Sequence, residues 1–325
     1  MLEYLPVGIG HCDFHIVLAC CRTHNGTNSL GNSTLLTDNF SHIVIDGDGA
    51  AFETDGKIGY HYHNSFKSTI PSHLEVNRSG VLKVGKIARW QDAGLYVGFD
   101  GGTLKAAYAG VNLFGQKDNW NELPQAINSP TRITVYSGGM TVDTDGKDVR
   151  IDEDLLGATG NGVKSVTLSE PLVGVSYIGS PIVRIDGDGV GASAVAEFDP
   201  QLGAVTNIHV TAPGVGYNVA SAIVYVAKSP AAVLPCVVAQ NAASGAFTKK
   251  GAGLLTLSGA NTYEGDTILA GGTLKVASAT AIPAGSKVIL KGGTIDAGEY
   301  PEFVPKNWEL DFNDVRQAGA YSVQG

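Results

Sequence analysis

From Phe40 onward, apolar and polar residues alternate in short runs punctuated by glycine. "SHIVIDGDG", "GKIGYHYHNS", "HLEVNRSGVLKVGK", "GLYVGFDGGTLKAAYAG" and "RITVYSGGMTVDTDGKDVRI" all follow this plan. A period of two predicts strands, and the Gly-rich breaks predict tight turns. These fall at Arg78-Ser79-Gly80, Asp100-Gly101-Gly102 and Ser137-Gly138-Gly139. One phrase recurs: two glycines, Thr or a similar residue, then apolar-x-apolar. It stands at Gly101–Ala106, Gly138–Asp143, Gly271–Val276 and Gly292–Ala297, with a weaker copy at Ser79–Val84.

The last two strong copies begin 21 residues apart. A period near 20 residues suits one coil of a solenoid whose strands stack at about 4.8 Å. Two-residue Gly turns also serve the hairpins of a sandwich. The recurrence of a phrase, rather than of a composition alone, favours the solenoid. In Gly251–Val276 the alternation then directs Leu255, Leu257, Ile268, Leu274 and Val276 inward. Thr256, Thr267, Thr273 and Lys275 are expected outside.

The middle of the chain breaks the pattern. Val173 to Val226 is framed by two similar phrases, Gly174-Val175-Ser176-Tyr177 and Gly214-Val215-Gly216-Tyr217, with an alternating strand and an Asp199-Pro200 turn between them. It is expected to be a small all-β insert that leans on the solenoid, being marginal alone at that size. The expected organisation is an N-terminal segment 1–38 unlike the rest, solenoid coils over 39–172, the insert over 173–227 and further solenoid over 228–325. The fold class expected is all-β: a right-handed parallel β-helix with an all-β insert.

Composition supports this. The chain of 325 residues carries 43 Gly and only 16% charged residues, against roughly a quarter in ordinary globular chains. Gly and β-branched residues disfavour helix. The net charge of -9 and the lack of a basic stripe argue against a nucleic-acid partner. Cys12, Cys20, Cys21 and Cys236 form neither a disulfide framework nor a metal motif. "FHIVLACC" lacks the basic flank of a signal peptide, and no apolar run is long enough for a membrane helix.

Several residues invite chemistry. His61, His63 and His73 could bind zinc or copper, but no carboxylate or Cys completes the set at suitable spacing. Asp46-Gly47-Asp48-Gly49, Asp186-Gly187-Asp188-Gly189 and Asp143-Thr144-Asp145-Gly146 offer oxygens to calcium, yet match no calcium-loop spacing and read as turns. Gly157–Gly162 is not followed by a helix and so makes no dinucleotide site. Asp152-Glu153-Asp154 beside Arg150 reads as a solvated corner rather than a glycosidase pair. Trp90, Trp120 and Trp308 could stack on sugars, although coil-edge packing serves them equally. No catalytic, cofactor-binding or metal-binding residue is nominated, and no cofactor is expected.

Phe247-Thr248-Lys249-Lys250-Gly251, Leu255-Thr256-Leu257-Ser258-Gly259, Asn261-Thr262-Tyr263, Gly265, Thr267 and Gly272-Thr273-Leu274 together resemble the autotransporter-associated β-strand repeat, over about 247–298. More weakly, 173–226 resembles a Gly-x-Gly-Tyr repeat of phage tail fibres and bacterial surface proteins. The first resemblance implies the passenger region of a secreted or surface-displayed bacterial protein, with no catalytic residue to carry over. The resulting expectation is a non-enzymatic extracellular scaffold, adhesin-like, from a longer protein. Its expected partners are host or environmental glycans or surface proteins. The alternative is a carbohydrate-active β-helix enzyme or a glycan-binding module.

Overall fold

The computed structural model describes residues 42–54, 57–61, 71–90, 94–115, 130–173, 180–226 and 229–298. It also describes short strands at His15–Ala19, Gly26–Ser29, Leu35–Asp38, Ile127–Asn128, Trp308–Leu310 and Ser322–Gln324. Every regular element among the described residues is a strand.

The chain visits three sheets in rotation. His15–Ala19, His42–Asp46, Ser72–Asn77, Leu95–Asp100, Arg132–Val135 and Leu155–Gly157 lie side by side in the first sheet. Gly26–Ser29, Ala50–Glu53, Val81–Val84, Gly102–Ala106 and Met140–Asp143 are neighbours in the second; Leu35–Asp38, Lys57–His61 and Lys86–Trp90 in the third. All these pairs are parallel. Parallel neighbours require a crossover between them, and here each crossover is the passage through the other sheets.

Register puts like residues above one another. In the second sheet Phe52, Leu82, Leu104, Val142, Lys249, Leu269 and Leu290 form one ladder. Val149, Leu255, Leu274 and Ile295 form another. A single apolar cluster runs from Ile43 to Ile295. Each fully buried Leu, Ile or Val in it contributes about 1.5–3 kcal/mol relative to an exposed one.

The inward set expected for Gly251–Val276 is found at Leu255, Leu257, Leu274 and Val276, all essentially inaccessible. The parity of the intervening strand is the reverse of that expected. Thr267 and Leu269 are buried, whereas Ile268 is half-buried on the other face. The cause is polar satisfaction: the Thr267 hydroxyl bonds Tyr263 and Ser286 inside the stack, which leaves Ile268 to point out.

Among the described residues the stack is interrupted once. Met140 pairs with Phe247 and Val149 with Leu255, so adjacent levels here lie more than a hundred residues apart in sequence. Between them the chain forms antiparallel strands: Asn161–Val166, Ser229–Gln240, Ala220–Val226 and Ile182–Gly187 in one sheet, and Val190–Asp199 with Ala204–Val215 as a ribbon. Val183, Ala194, Val205, Ile208 and Val224 make their shared core. Gly160 and Asn241 close the neck: Asn241 N–H donates to Gly160 O at 3.0 Å, and its side chain donates to Gly214 O at 2.8 Å.

Candidate functional site

Two places in the described residues concentrate buried polar groups. The first is the outer face of the first sheet. Period two turns His42, Val44 and Asp46 outward, then His73, Glu75 and Asn77, then Tyr96 and Gly98; register stacks His42, His73 and Tyr96 in a column. An outward face should be solvated, yet Ser72–Asn77 is buried at every position. The ribbon covers it. Ser193 Oγ donates to Glu75 Oε1 at 2.5 Å, and Asn77 Nδ2 to Thr211 O at 2.9 Å. Thr211 Oγ1 lies 2.9 Å from Ser193 Oγ and 3.3 Å from His42 Nε2. His42 Nε2 is in turn 2.5 Å from Glu75 Oε2. Tyr136 packs with Ala158, Ala212 and Val215 at the same joint, and Gly98 leaves room for its ring.

His73 is the poorly satisfied member. Its Nδ1 is 3.7 Å from Glu75 Oε1, beyond hydrogen-bond reach, and that buried atom has no partner. Burial pushes its pKa down to about 4; the Glu75 charge opposes this and His42 adds to it. Burial pushes the Glu75 carboxyl up, but the charges and hydrogen bonds of His42, His73 and Ser193 more than offset this and hold it below its usual range. Burial raises the Tyr136 phenol. A cleft of about 330 Å³ opens beside the cluster, between His73 and Tyr96 on one side and Gly187–Gly191 on the other. The Ser193 hydroxyl donates to the Glu75 carboxylate of the other layer, so the arrangement ties the two layers together.

The second place is the corner at Lys249–Val276. Lys249 occupies a rung of the Phe52–Leu290 ladder and is inaccessible. Its Nζ donates to Gly253 O (2.7 Å) and Gly251 O (2.5 Å) in its own level, to Thr144 Oγ1 (3.2 Å) below and to Gly271 O (2.8 Å) above. Burial lowers its pKa from 10.5 to about 8, against the pull of Asp143 and Asp148. Asn261 does the same on another side, accepting from Leu155 N–H at 2.8 Å and donating to Ala281 O at 2.6 Å. Tyr263 stacks on Phe247 and, through Thr267 and Ser286, reaches Gly265 O. Glu264 and Ser244 exchange two bonds, each accepting from the other's backbone N–H.

Residues 247–276 match the family model described as passenger-associated-transport-repeat. These residues are thus similar to a transport repeat of passenger proteins, and the segment is called the transport repeat below. No curated protein and no solved structure matches the chain.

The transport repeat also explains the acidic corner beneath it. Asp148 accepts from Leu254 N–H (2.9 Å), Asp152 from Ser258 Oγ (2.8 Å) and Asp154 from Ala260 N–H (2.6 Å). Glu153 accepts from Asn112 Nδ2 at 3.1 Å, towards the level below, and Arg150 pairs with Asp152. The cluster therefore ties levels together. The Asp-Gly turns are likewise engaged by protein donors. Asp46 holds Arg78, Asp186 holds Arg184 and Asp145 holds Lys105 and Lys147. Asp188 takes bonds from the Asn218 and Val219 backbone and the Asn218 side chain, which lower its pKa to about 2. Gly160 has φ +74° and precedes a strand.

His73 lies with His42 and Glu75. His61, Trp90 and Trp308 lie on strands, but their side chains are outside the described residues, as are Cys12, Cys20, Cys21, His63 and Trp120. Cys236 is a free, half-buried thiol whose pKa burial raises to about 11. No group of three His, Cys, Asp or Glu among the described residues is placed to hold a metal. No helix among them is long and apolar enough to cross a membrane. His42, Glu75, Ser193, Thr211, Lys249 and Asn261 carried no signal as sites in the sequence. Lys249 shares the parity of the apolar Phe247, and Asn261 that of Tyr263, and each could have been placed inside by that neighbour.

Proposed function

We propose that this chain is a passenger-type extracellular scaffold: a right-handed parallel β-helix that displays an antiparallel module spanning about 161–240. The carrying observation is that the transport repeat resumes the strand ladder directly above Met140–Ile151. The stack thus continues past the excursion, and the module stands on its side. A rigid column of ladders gives length and stiffness, and the module gives a surface unlike the rest.

A non-enzymatic role is supported by where the acidic groups go. Asp148, Asp152, Glu153 and Asp154 are each engaged by a donor from an adjacent level, whereas glycoside cleavage needs two carboxyls facing a shared substrate. The test has two arms. Protease shaving of intact cells carrying an epitope-tagged full chain should remove the tag signal; an intact signal with accessible surface controls would overturn the extracellular assignment. Incubation with a polysaccharide panel should release no new reducing or unsaturated ends, and any turnover would replace the scaffold with an enzyme.

A further inference from the structure

We propose that the joint between the displayed module and the stack is an acid-sensitive latch, which holds the ribbon Val190–Val215 on the first sheet at neutral pH and releases it in acid while the stack stays folded. This rests on the scaffold reading only for its use; the latch itself rests on the joint.

The joint is polar where a static one would be apolar. Its direct bonds across the layers are Ser193 to Glu75, Asn77 to Thr211 and Thr211 to His42. Glu75 is the hub: it receives both the ribbon's Ser193 and the sheet's own His42. The groups around the hub come from every element packed there. The sheet supplies His42, His73, Tyr96 and Arg132, with Tyr136 just beyond the last of these strands. The module supplies Ser193, Thr211 and Tyr217, with Arg184 and Asp186 paired to each other at the cleft.

One of these groups, His73, takes up a proton more readily when the joint is open. His73 has a pKa of about 4 when buried and an ordinary value of 6.5. The docked state therefore binds fewer protons between those values, and docking is complete above about 6.5 and weakens as pH falls towards 4. Glu75 is held low chiefly by His42 and His73 of its own sheet, which stay beside it when the ribbon leaves; docking adds only the Ser193 bond to these. From His73 alone, the ratio of open to docked joint should rise roughly 70-fold between pH 7.5 and pH 4.5. The stack has its own reasons to stay folded: its column is apolar from Ile43 to Ile295.

Two buried tyrosines report the two parts separately. Tyr136 is covered by Ala212 and Val215 of the ribbon, while Tyr263 lies inside the stack against Phe247. Hydroxyl-radical footprinting of the full chain from pH 7.5 to pH 4 should show Tyr136 oxidation rising by one to two orders of magnitude while Tyr263 stays protected. His73→Gln, which cannot titrate, should remove most of that rise. Joint exposure of both tyrosines, protection of both down to pH 4, or an unchanged rise in His73→Gln would each overturn the latch. If His73→Gln opens the joint at pH 7.5, the native profile decides: a midpoint above pH 6.5 refutes the proposal.

Discussion

Replacing Lys249 with Met is the sharpest test of how the transport repeat is held. The lysine stands where Leu104, Val142, Leu269 and Leu290 stand at other levels, so a methionine of similar length and apolar character should by packing alone be welcome. Packing is not what the lysine supplies. Its ammonium serves Gly251 O, Gly253 O, Gly271 O and Thr144 Oγ1. Gly272, at φ +67°, has no room for a Cβ because the ammonium and two carbonyls fill that space. Removing the cation leaves inward-turned carbonyls without a donor, at about 1–3 kcal/mol for each one that water cannot reach. Against this stands relief of the desolvation that moves the pKa from 10.5 to about 8, worth about 3 kcal/mol. Three stranded carbonyls at about 2 kcal/mol each outweigh that relief, and Lys249→Met should lose about 1–4 kcal/mol at pH 7.

The sign of the pH dependence separates this account from simple loss of packing. The folded pKa lies below the unfolded one, so between about 8 and 10.5 the unfolded chain holds the extra proton. Stability from this group therefore rises with pH in that window, by about 2 kcal/mol between pH 7.5 and 9.5. Urea unfolding, with amide exchange of 247–276 as a local readout, should show the rise in the native chain and its absence in Lys249→Met. A variant as stable as the native chain at pH 7.5, or one that keeps the alkaline rise, would refute the reasoning.

Asn261→Ala should cost about 2–4 kcal/mol, because it strands Leu155 N–H and Ala281 O on either side of its level; faster exchange at Leu155 in particular is the check. Gly272→Ala should be destabilising by more than its unfolded-state gain of up to about 1 kcal/mol, with a fall in the denaturation midpoint expected and a rise refuting the corner geometry. Asp188 should titrate near pH 2 by carboxyl NMR, below its ordinary 3.8. Its turn should hold above 3.8 and loosen only as pH falls through the lower value, and a normal pKa would refute its bonds to Asn218 and Val219. Millimolar calcium should leave the melting temperature unchanged, since Asp46, Asp145, Asp186 and Asp188 already bind protein donors; a stabilisation of several degrees would make these turns calcium sites.

Alternation made Leu255, Leu257, Leu274 and Val276 legible in the sequence, because aliphatic residues at period two have one economical arrangement. It failed at Thr267 and Ile268 for a physical reason. A threonine is neutral on any apolar scale, and what buries Thr267 is a hydroxyl chain that includes a serine from the next level. The joint was illegible on the same grounds, more severely. His42, Glu75, Ser193 and Thr211 meet across 18 to 169 residues of sequence, and each is an ordinary outward strand residue until a second layer covers it. His73 was visible as a histidine, but in the sequence it followed the His61-Tyr62-His63 pair, which suggested an exposed face, and register places it instead beside His42.

These two kinds of polar burial do different work. Inside the stack, Lys249, Asn261 and Thr267 sit among fixed neighbours one level above and below, so each is satisfied by a partner that the repeat itself supplies. Such groups select one register, since a slip of a single residue would strand all of them. At the joint the partner comes from a separate layer, and satisfaction depends on that layer being docked. The transport repeat thus contributes a column whose register is specified from within. The module that interrupts the column is attached through a separate interface, whose polar bonds are made only when the second layer is docked.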